Sequence, residues 1–127
     1  MNREVYLGDR GILGIEINSW TSEVRVKIDV ISFLFSEGDK SGDWDESENI
    51  EEGYLVFADI QYFELSPSGM MPGDYIIEYD FKEEGEMIIF TILSIGRPYC
   101  DKLSTMKIKS KNSWIEDKFK QKVIWHE

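Results

Sequence analysis

Apolar and polar side chains alternate along several stretches of this chain, and this period of two is the feature that most constrains its fold. In residues 23–35 the charged side chains Glu23, Arg25 and Lys27 face one side at first. The opposite side carries four apolar residues: Val24, Val26, Ile28 and Val30. One apolar and one charged face are typical of an antiparallel strand with one solvated side. The segment therefore predicts a β-strand.

The same alternation recurs elsewhere along the chain, with turn-forming residues between the segments. Five further strands are predicted: residues 12–17, 54–65, 75–81, 86–95 and 106–109. Apolar residues occupy both faces of 54–65, which indicates a central strand with neighbours on both sides. Gly85 follows three polar residues, where a hairpin needs a left-handed backbone. Six strands separated by turns predict a mainly β fold, an antiparallel β-sandwich or a strongly curled sheet.

The C-terminal region has a different pattern and predicts a short helix over residues 114–123. Asn112 or Ser113 can cap its start, and lysines follow acidic residues in the order that the helix dipole favours. Its apolar residues recur at i, i+4 spacing: Ile115, Phe119 and Val123. With 127 residues, the chain is long enough for one hydrophobic core. We therefore expect a single domain over residues 1–127, with this helix packed on the sheet.

Charge excludes two broad classes of partner. The chain has 14 basic and 25 acidic residues, a net charge of −11, which disfavours binding to nucleic acid or to an anionic membrane surface. Residues 1–101 carry 7 basic against 22 acidic residues, whereas the remaining residues have a net charge of +4. An acidic body speeds the encounter with a basic protein partner. A protein partner is therefore expected.

An acidic loop is predicted over residues 36–53, where eight acidic residues accompany a single lysine. Long loops are commonly functional or disordered, and an exposed tryptophan within one is a good interface anchor. The predicted partner-binding residues are five from this loop and one from an earlier turn: Asp43, Trp44, Asp45, Glu46, Glu48 and Trp20. Asp39, Asp43 and Asp45 could instead hold Ca²⁺, although the loop lacks the glycine and glutamate positions of an EF-hand.

Residues that could carry catalysis are few. The only histidine, His126, lies one residue from the end of the sequence, and Cys100 has no histidine nearby to activate it. Residues 8–14 match neither glycine-rich phosphate-binding spacing. We therefore expect no enzymatic activity, catalytic residue, cofactor or specific metal site. The start of the sequence shows no apolar signal segment, so a cytoplasmic location is expected.

The order of the predicted elements also resembles a known group of proteins. A strand over 23–35, an acidic insertion, the segment Leu55–Leu65, a Pro/Gly turn, a strand pair and a last short strand follow one another. This order over residues 12–110 resembles small, uncharacterised bacterial β-rich proteins, some of them immunity proteins of polymorphic toxin systems. The resemblance implies a cytoplasmic inhibitor that binds a toxin and has no catalysis of its own.

The leading hypothesis is therefore a non-enzymatic protein-binding domain, such as a bacterial immunity protein that neutralises a basic toxin through an acidic and aromatic surface. A calcium- or carbohydrate-binding module is the alternative, with Asp39, Asp43 and Asp45 on the ion and Trp44 stacked on a sugar. A homodimer formed through an exposed sheet edge also stays open, because edge strands pair readily. A monomer or a homodimer is compatible with the leading hypothesis.

Overall fold

The fold is built from antiparallel strands, as a computed structural model of the chain shows. The structure describes residues 3–35, 49–67, 73–96 and 103–123, and no helix occurs within these ranges. The described residues form ten strands: β1 (Arg3–Tyr6), β2 (Ile12–Asn18), β3 (Glu23–Ile28), β4 (Val30–Phe35), β5 (Ile50–Glu51), β6 (Tyr54–Ser66), β7 (Tyr75–Glu84), β8 (Met87–Ile95), β9 (Leu103–Glu116) and β10 (Lys122–Val123). The mainly β, antiparallel class predicted from the alternation is confirmed.

The described strands form two sheets. The larger has seven strands in the order β2-β3-β6-β9-β8-β7, with β10 paired to the end of β9, and the smaller has the order β1-β4-β5. One buried cluster includes residues of both sheets. The phenol of Tyr79 on β7 donates a 3.3 Å hydrogen bond to the carbonyl of Val5 on β1, so the small sheet packs against the large one.

The segment 23–35 is two strands rather than one. It breaks at Asp29, where β3 leaves the large sheet and β4 enters the small one. One carboxylate oxygen of Asp29 accepts hydrogen bonds from the backbone N–H groups of Gly11 and Val30, at 3.0 and 2.7 Å. A single acidic residue in an apolar run therefore marks the point where the chain changes sheets.

Strand β6 is central, as its two apolar faces predicted, because it pairs with β3 on one side and β9 on the other. Its pairing with β9 is irregular near the middle, where Asp59 has φ 55 and the register shifts between Ile60 and Tyr62. Such irregularities bend a strand. They also explain why two polar residues, Asp59 and Gln61, interrupt the apolar face: both are exposed there.

Aromatic rings fill the centre of the core. Phe57 of β6 stacks on Phe90 of β8 at 5.0 Å between ring centroids, and Phe81 of β7 contacts Phe90 at 4.7 Å. Phe57 and Phe90 are fully buried, and burial of rings of this size is a large share of the stability of such a core. These contacts connect β6, β8 and β7 across the inner face of the large sheet.

The first and last strands of the large sheet meet at one point. Gly11 and Tyr75 form an isolated bridge. The N–H of Ile12 donates to the carbonyl of Asp74 at 2.7 Å, and that of Ile76 to Arg10 at 2.9 Å. Within the described residues this pairing goes no further, so the sheet is not closed. Strand β2 diverges from β7 after the bridge.

The predicted helix over 114–123 is wrong. Trp114 and Ile115 continue β9 and pair with β6, and a turn then leads into β10. The carboxylate of Asp117 accepts hydrogen bonds from the N–H groups of Phe119 and Gln121, at 2.9 and 3.0 Å, and closes this turn. Ile115 is buried whereas Phe119 is 73% exposed, so the i, i+4 residues do not share a face.

The other predicted strands are present, most of them with longer bounds, whereas β1, β5 and β10 were not predicted, and β5 lies inside the predicted loop 36–53. The predicted strand 106–109 is the middle of the 14-residue β9, which polar residues on its outer face had concealed. The hairpin between β7 and β8 turns at Gly85, whose φ of 65 is the left-handed conformation predicted for it. The β7–β8 hairpin is therefore the part of the fold that the sequence predicts most closely.

Candidate functional site

The candidate site is an apolar cleft between β2 and the second half of β6, which we call the β2 cleft. It consists of two adjoining cavities of about 380 and 200 Å³ that share Ile17. The larger is lined by Ile12, Leu13, Gly14, Ile15, Ile17, Leu65, Gly73 and Asp74. The smaller is lined by Ile17, Asn18, Ser19, Ser22, Glu23, Val24, Ile60 and Phe63. The cleft thus follows the whole length of β2, roughly 20 Å at the usual rise per residue.

The cleft is open because the two strands on either side of it lack a neighbour there. The pairing of β3 with β6 ends at Ala58, although β6 continues to Ser66. Within the described part of the chain, no strand pairs with the outer edge of β2 after the bridge at Gly11. A strand paired on one side only presents alternate N–H and C=O groups to the other side. The cleft therefore combines apolar walls with a hydrogen-bonding edge.

Large apolar side chains are exposed along this edge. Leu13 is 53% exposed and Ile17 is 58% exposed. Ile15 and Ile17 lie opposite the buried Val26 and Val24 of β3, so both face the core side of the sheet. Ile17 is nevertheless exposed, because none of the described residues covers it. Contiguous exposed apolar surface on a water-soluble domain often marks an interaction site.

Trp20 lies at one end of the β2 cleft, in the turn between β2 and β3. Its side chain is 96% exposed. The carboxamide oxygen of Asn18 accepts hydrogen bonds from the backbone N–H groups of Trp20 and Thr21, at 3.1 and 3.2 Å, and so holds the turn in place. Asn18, Ser19 and Ser22 of this turn line the smaller cavity, whereas Trp20 itself lines neither cavity, so it is the turn that lies at the end of the cleft.

The charged residues that line the cleft are acidic at both ends, Asp74 in the larger cavity and Glu23 in the smaller. No described basic residue lines either cavity. Glu16, on the opposite face of β2, accepts a 2.9 Å hydrogen bond from Lys120, and this bond holds the pKa of Glu16 below its ordinary value. Glu23 also forms an ion pair with Arg25 at 3.3 Å, so the attraction of the cleft for cations comes from the net charge of −11 of the whole protein.

A half-buried ion pair supports the outer face of the sheet beside β2. The guanidinium of Arg25 donates to both carboxylate oxygens of Glu116, at 2.9 and 3.2 Å, and the indole of Trp114 donates to the same carboxylate at 2.9 Å. Burial disfavours the charged form of Glu116, but the hydrogen bonds from Arg25 and Trp114 outweigh it, so its pKa lies below the ordinary value. This group joins β3 to β9 and is structural.

Of the residues predicted to bind a partner, only Trp20 belongs to the described part of the chain. The other candidates, including the alternative calcium ligands, lie outside it: Asp39, Asp43, Trp44, Asp45, Glu46 and Glu48. Among described residues, no group of three or more His, Cys, Asp or Glu side chains is placed to hold a metal ion. The structure adds Leu13 and Ile17. Leu13 had a sequence signal, because the adjacent apolar pair Ile12-Leu13 interrupts the alternation where the register shifts, whereas Ile17 continues the alternation and had none.

A comparison with protein families shows to which family the chain belongs. A family model described as a family of unknown function, DUF6258, matches residues 2–125. The chain belongs to this family. Among solved structures, it is similar to an uncharacterized protein from Neisseria gonorrhoeae, with 13% sequence identity, a TM-score of 0.49, and coverage of 91% of this chain and 98% of that one. No match was found among curated proteins. Among the described residues, no helix has the length and apolar character needed to cross a membrane.

Proposed function

We propose that this protein is a non-enzymatic recognition domain that binds a basic protein partner at the β2 cleft, with Trp20 as an anchor. The observation that carries the proposal is the 96% exposure of Trp20 on a hydrogen-bonded turn at the end of an open apolar cleft. Tryptophan is among the residues most often found at the energetic centre of protein interfaces. A fixed turn also lowers the entropy lost on binding.

The net charge of this protein favours a basic partner. At −11, the protein attracts basic proteins over long distances and repels acidic ones. In its most specific form, the proposal is an immunity protein, which inhibits a basic toxin by binding it and needs no chemistry of its own. The sequence resemblance to such proteins supports this form.

The test is capture of the partner from a lysate of the producing cells, with two matched variants. Trp20→Ala removes the proposed anchor, and Phe119→Ala removes another exposed aromatic side chain from a turn elsewhere. We expect one stoichiometric basic protein on the wild type and on Phe119→Ala, and its loss on Trp20→Ala. Equal capture by both variants, or no partner, would contradict the proposal.

The predicted acidic loop has a separate test. Neutralising Asp43, Asp45, Glu46 and Glu48 together is expected to slow association with the captured partner and to flatten its salt dependence, because rim charges act mainly on association rate. Stopped-flow or surface-plasmon measurements at two ionic strengths would show this. Unchanged association kinetics would remove the loop from the binding surface and leave the role of Trp20 intact.

A further inference from the structure

We infer that the partner binds by adding an extended segment that carries basic residues to the edge of β2, with apolar side chains in the β2 cleft. The inference rests on the proposed function and specifies how that function is performed. It draws on two properties of the site, a strand edge that none of the described strands pairs with and an apolar wall, and on the net charge of the whole protein. Each property limits what the occupant can be.

The strand edge selects an extended backbone. From Leu13 to Asn18, β2 pairs with β3 alone among the described strands, so none of these strands occupies the N–H and C=O groups on its outer side. Peptides that add to a sheet edge gain affinity from such main-chain hydrogen bonds, and pockets for alternate side chains provide specificity. The roughly 20 Å length of the edge fits a segment of about six residues.

The apolar wall favours a segment that has an apolar side chain at every second position. Leu13 and Ile17 are more than half exposed on β2, and Ile60, Phe63 and Leu65 face the cleft from β6. A strand lying along β2 directs every second side chain toward this wall. Covering it removes apolar surface from water, which is the main favourable contribution to such binding.

The strongly acidic protein favours a segment that carries basic residues. Glu23, at one end of the cleft, already forms an ion pair with Arg25 at 3.3 Å, so the net charge of −11, rather than a single carboxylate, attracts lysine and arginine to the site. A second copy of this acidic chain is disfavoured as the occupant by the same charge, since two molecules of net charge −11 repel each other.

A labelled synthetic peptide tests the inference without the natural partner. The probe is an eight-residue peptide of alternating lysine and valine, measured by fluorescence anisotropy. Its control has the same sequence with alternate backbone nitrogens methylated, which removes main-chain donors. Ile17→Lys places a charge in the cleft, and Ile77→Lys makes the same change at a 42% exposed position on the other edge strand.

Strand addition predicts binding of the unmethylated peptide to the wild type and to Ile77→Lys, about tenfold weaker binding to Ile17→Lys, and a similar loss on methylation. No binding to the wild type, equal binding of both peptides, or equal binding by both variants would overturn it. Light scattering is the parallel control, and concentration-dependent dimers lost in Ile17→Lys would assign the edge to a second copy instead. A partner that needs Trp20 but tolerates Ile17→Lys would overturn strand addition and leave the proposed function standing.

Discussion

The two edge strands of the large sheet differ sharply in how they meet solvent. Strand β7 exposes one large apolar residue, Ile77 at 42%, and five charged ones: Glu78, Asp80, Lys82, Glu83 and Glu84. Strand β2 exposes Leu13 and Ile17 instead, and its one charged residue, Glu16, is paired with Lys120. Charged residues on an edge strand prevent it from pairing with other chains. The contrast indicates that β7 is protected against association and that β2 is left open for it.

Strands β2 and β7 also differ in the interactions that attach them to the rest of the molecule. On β7, Tyr79 and Phe81 pack inward in the aromatic cluster. Beside β2, the Arg25–Glu116 ion pair and the Lys120–Glu16 pair support the outer face. Aromatic packing depends little on pH or salt, whereas ion pairs depend on both. The β2 side should therefore respond to solution conditions and the β7 side should not.

The largest loss of stability is expected from truncating Phe81, which packs β7 against the core. Phe81→Ala removes the ring that contacts Phe90 at 4.7 Å, and because Phe81 is only partly buried we expect a loss of about 2–3 kcal/mol in the free energy of unfolding. Urea denaturation measures this. Phe81→Leu is the control and should cost less than about 1.5 kcal/mol. Equal effects of both variants would show that the ring contact contributes little.

Breaking the Arg25–Glu116 ion pair should lower the free energy of unfolding somewhat less than Phe81→Ala does. Arg25→Ala leaves the largely buried carboxylate of Glu116 without its bidentate partner, and we expect a loss of about 1–3 kcal/mol because Arg25 keeps some exposure to water. Denaturation at low and high salt distinguishes the two strands. The loss should shrink in high salt for Arg25→Ala but not for Phe81→Ala, and the same salt response in both would contradict the comparison.

The pH dependence of stability follows from Glu116. Its pKa in the folded protein lies below the ordinary value of 4.5, so its contribution is fully present above that pH and is lost as the pH falls through the folded-state pKa. Acid should therefore destabilise the wild type more steeply than Glu116→Gln, which has no proton to gain at this position. Thermal melts between pH 3 and 6 measure the two slopes. Parallel slopes would exclude a role for Glu116 in the acid response.

The smallest effect on folding is expected at the turn between β2 and β3, which carries Trp20. Trp20→Ala removes a side chain that is 96% exposed, and such changes usually stay within about 0.5 kcal/mol. Denaturation should therefore superimpose on that of the wild type, which makes any loss of partner binding a property of the surface. A clear loss of stability would show that the indole has a structural role.

The strands were predictable because each needs only a local pattern. Residues 75–81 and 86–95 alternate cleanly around Gly85, and the structure places a hairpin there. The C-terminal helix was mispredicted because Ile115, Phe119 and Val123 fit a helical spacing locally, while pairing of β9 with β6 decided the outcome. Long-range pairing commonly overrides local propensity in this way.

The candidate site was only partly predictable. Trp20 stood out in the sequence as a tryptophan among turn-forming residues. The exposure of Ile17 could not be predicted from the sequence. It depends on the end of the β3–β6 pairing at Ala58, about forty residues further along the chain, and on the bend of β6 after Asp59. Composition predicted a basic partner, and the topology added the cleft at which we propose that it binds.

The central claim is that β2 is the open edge and β7 the protected one, and amide hydrogen exchange with and without the lysine–valine peptide tests it most directly. Amides that pair with an added strand exchange more slowly. The account predicts slower exchange on β2 from Leu13 to Asn18 when the peptide is bound, and no change on β7. Protection on β7, or unchanged exchange along β2 at saturating peptide, would contradict it.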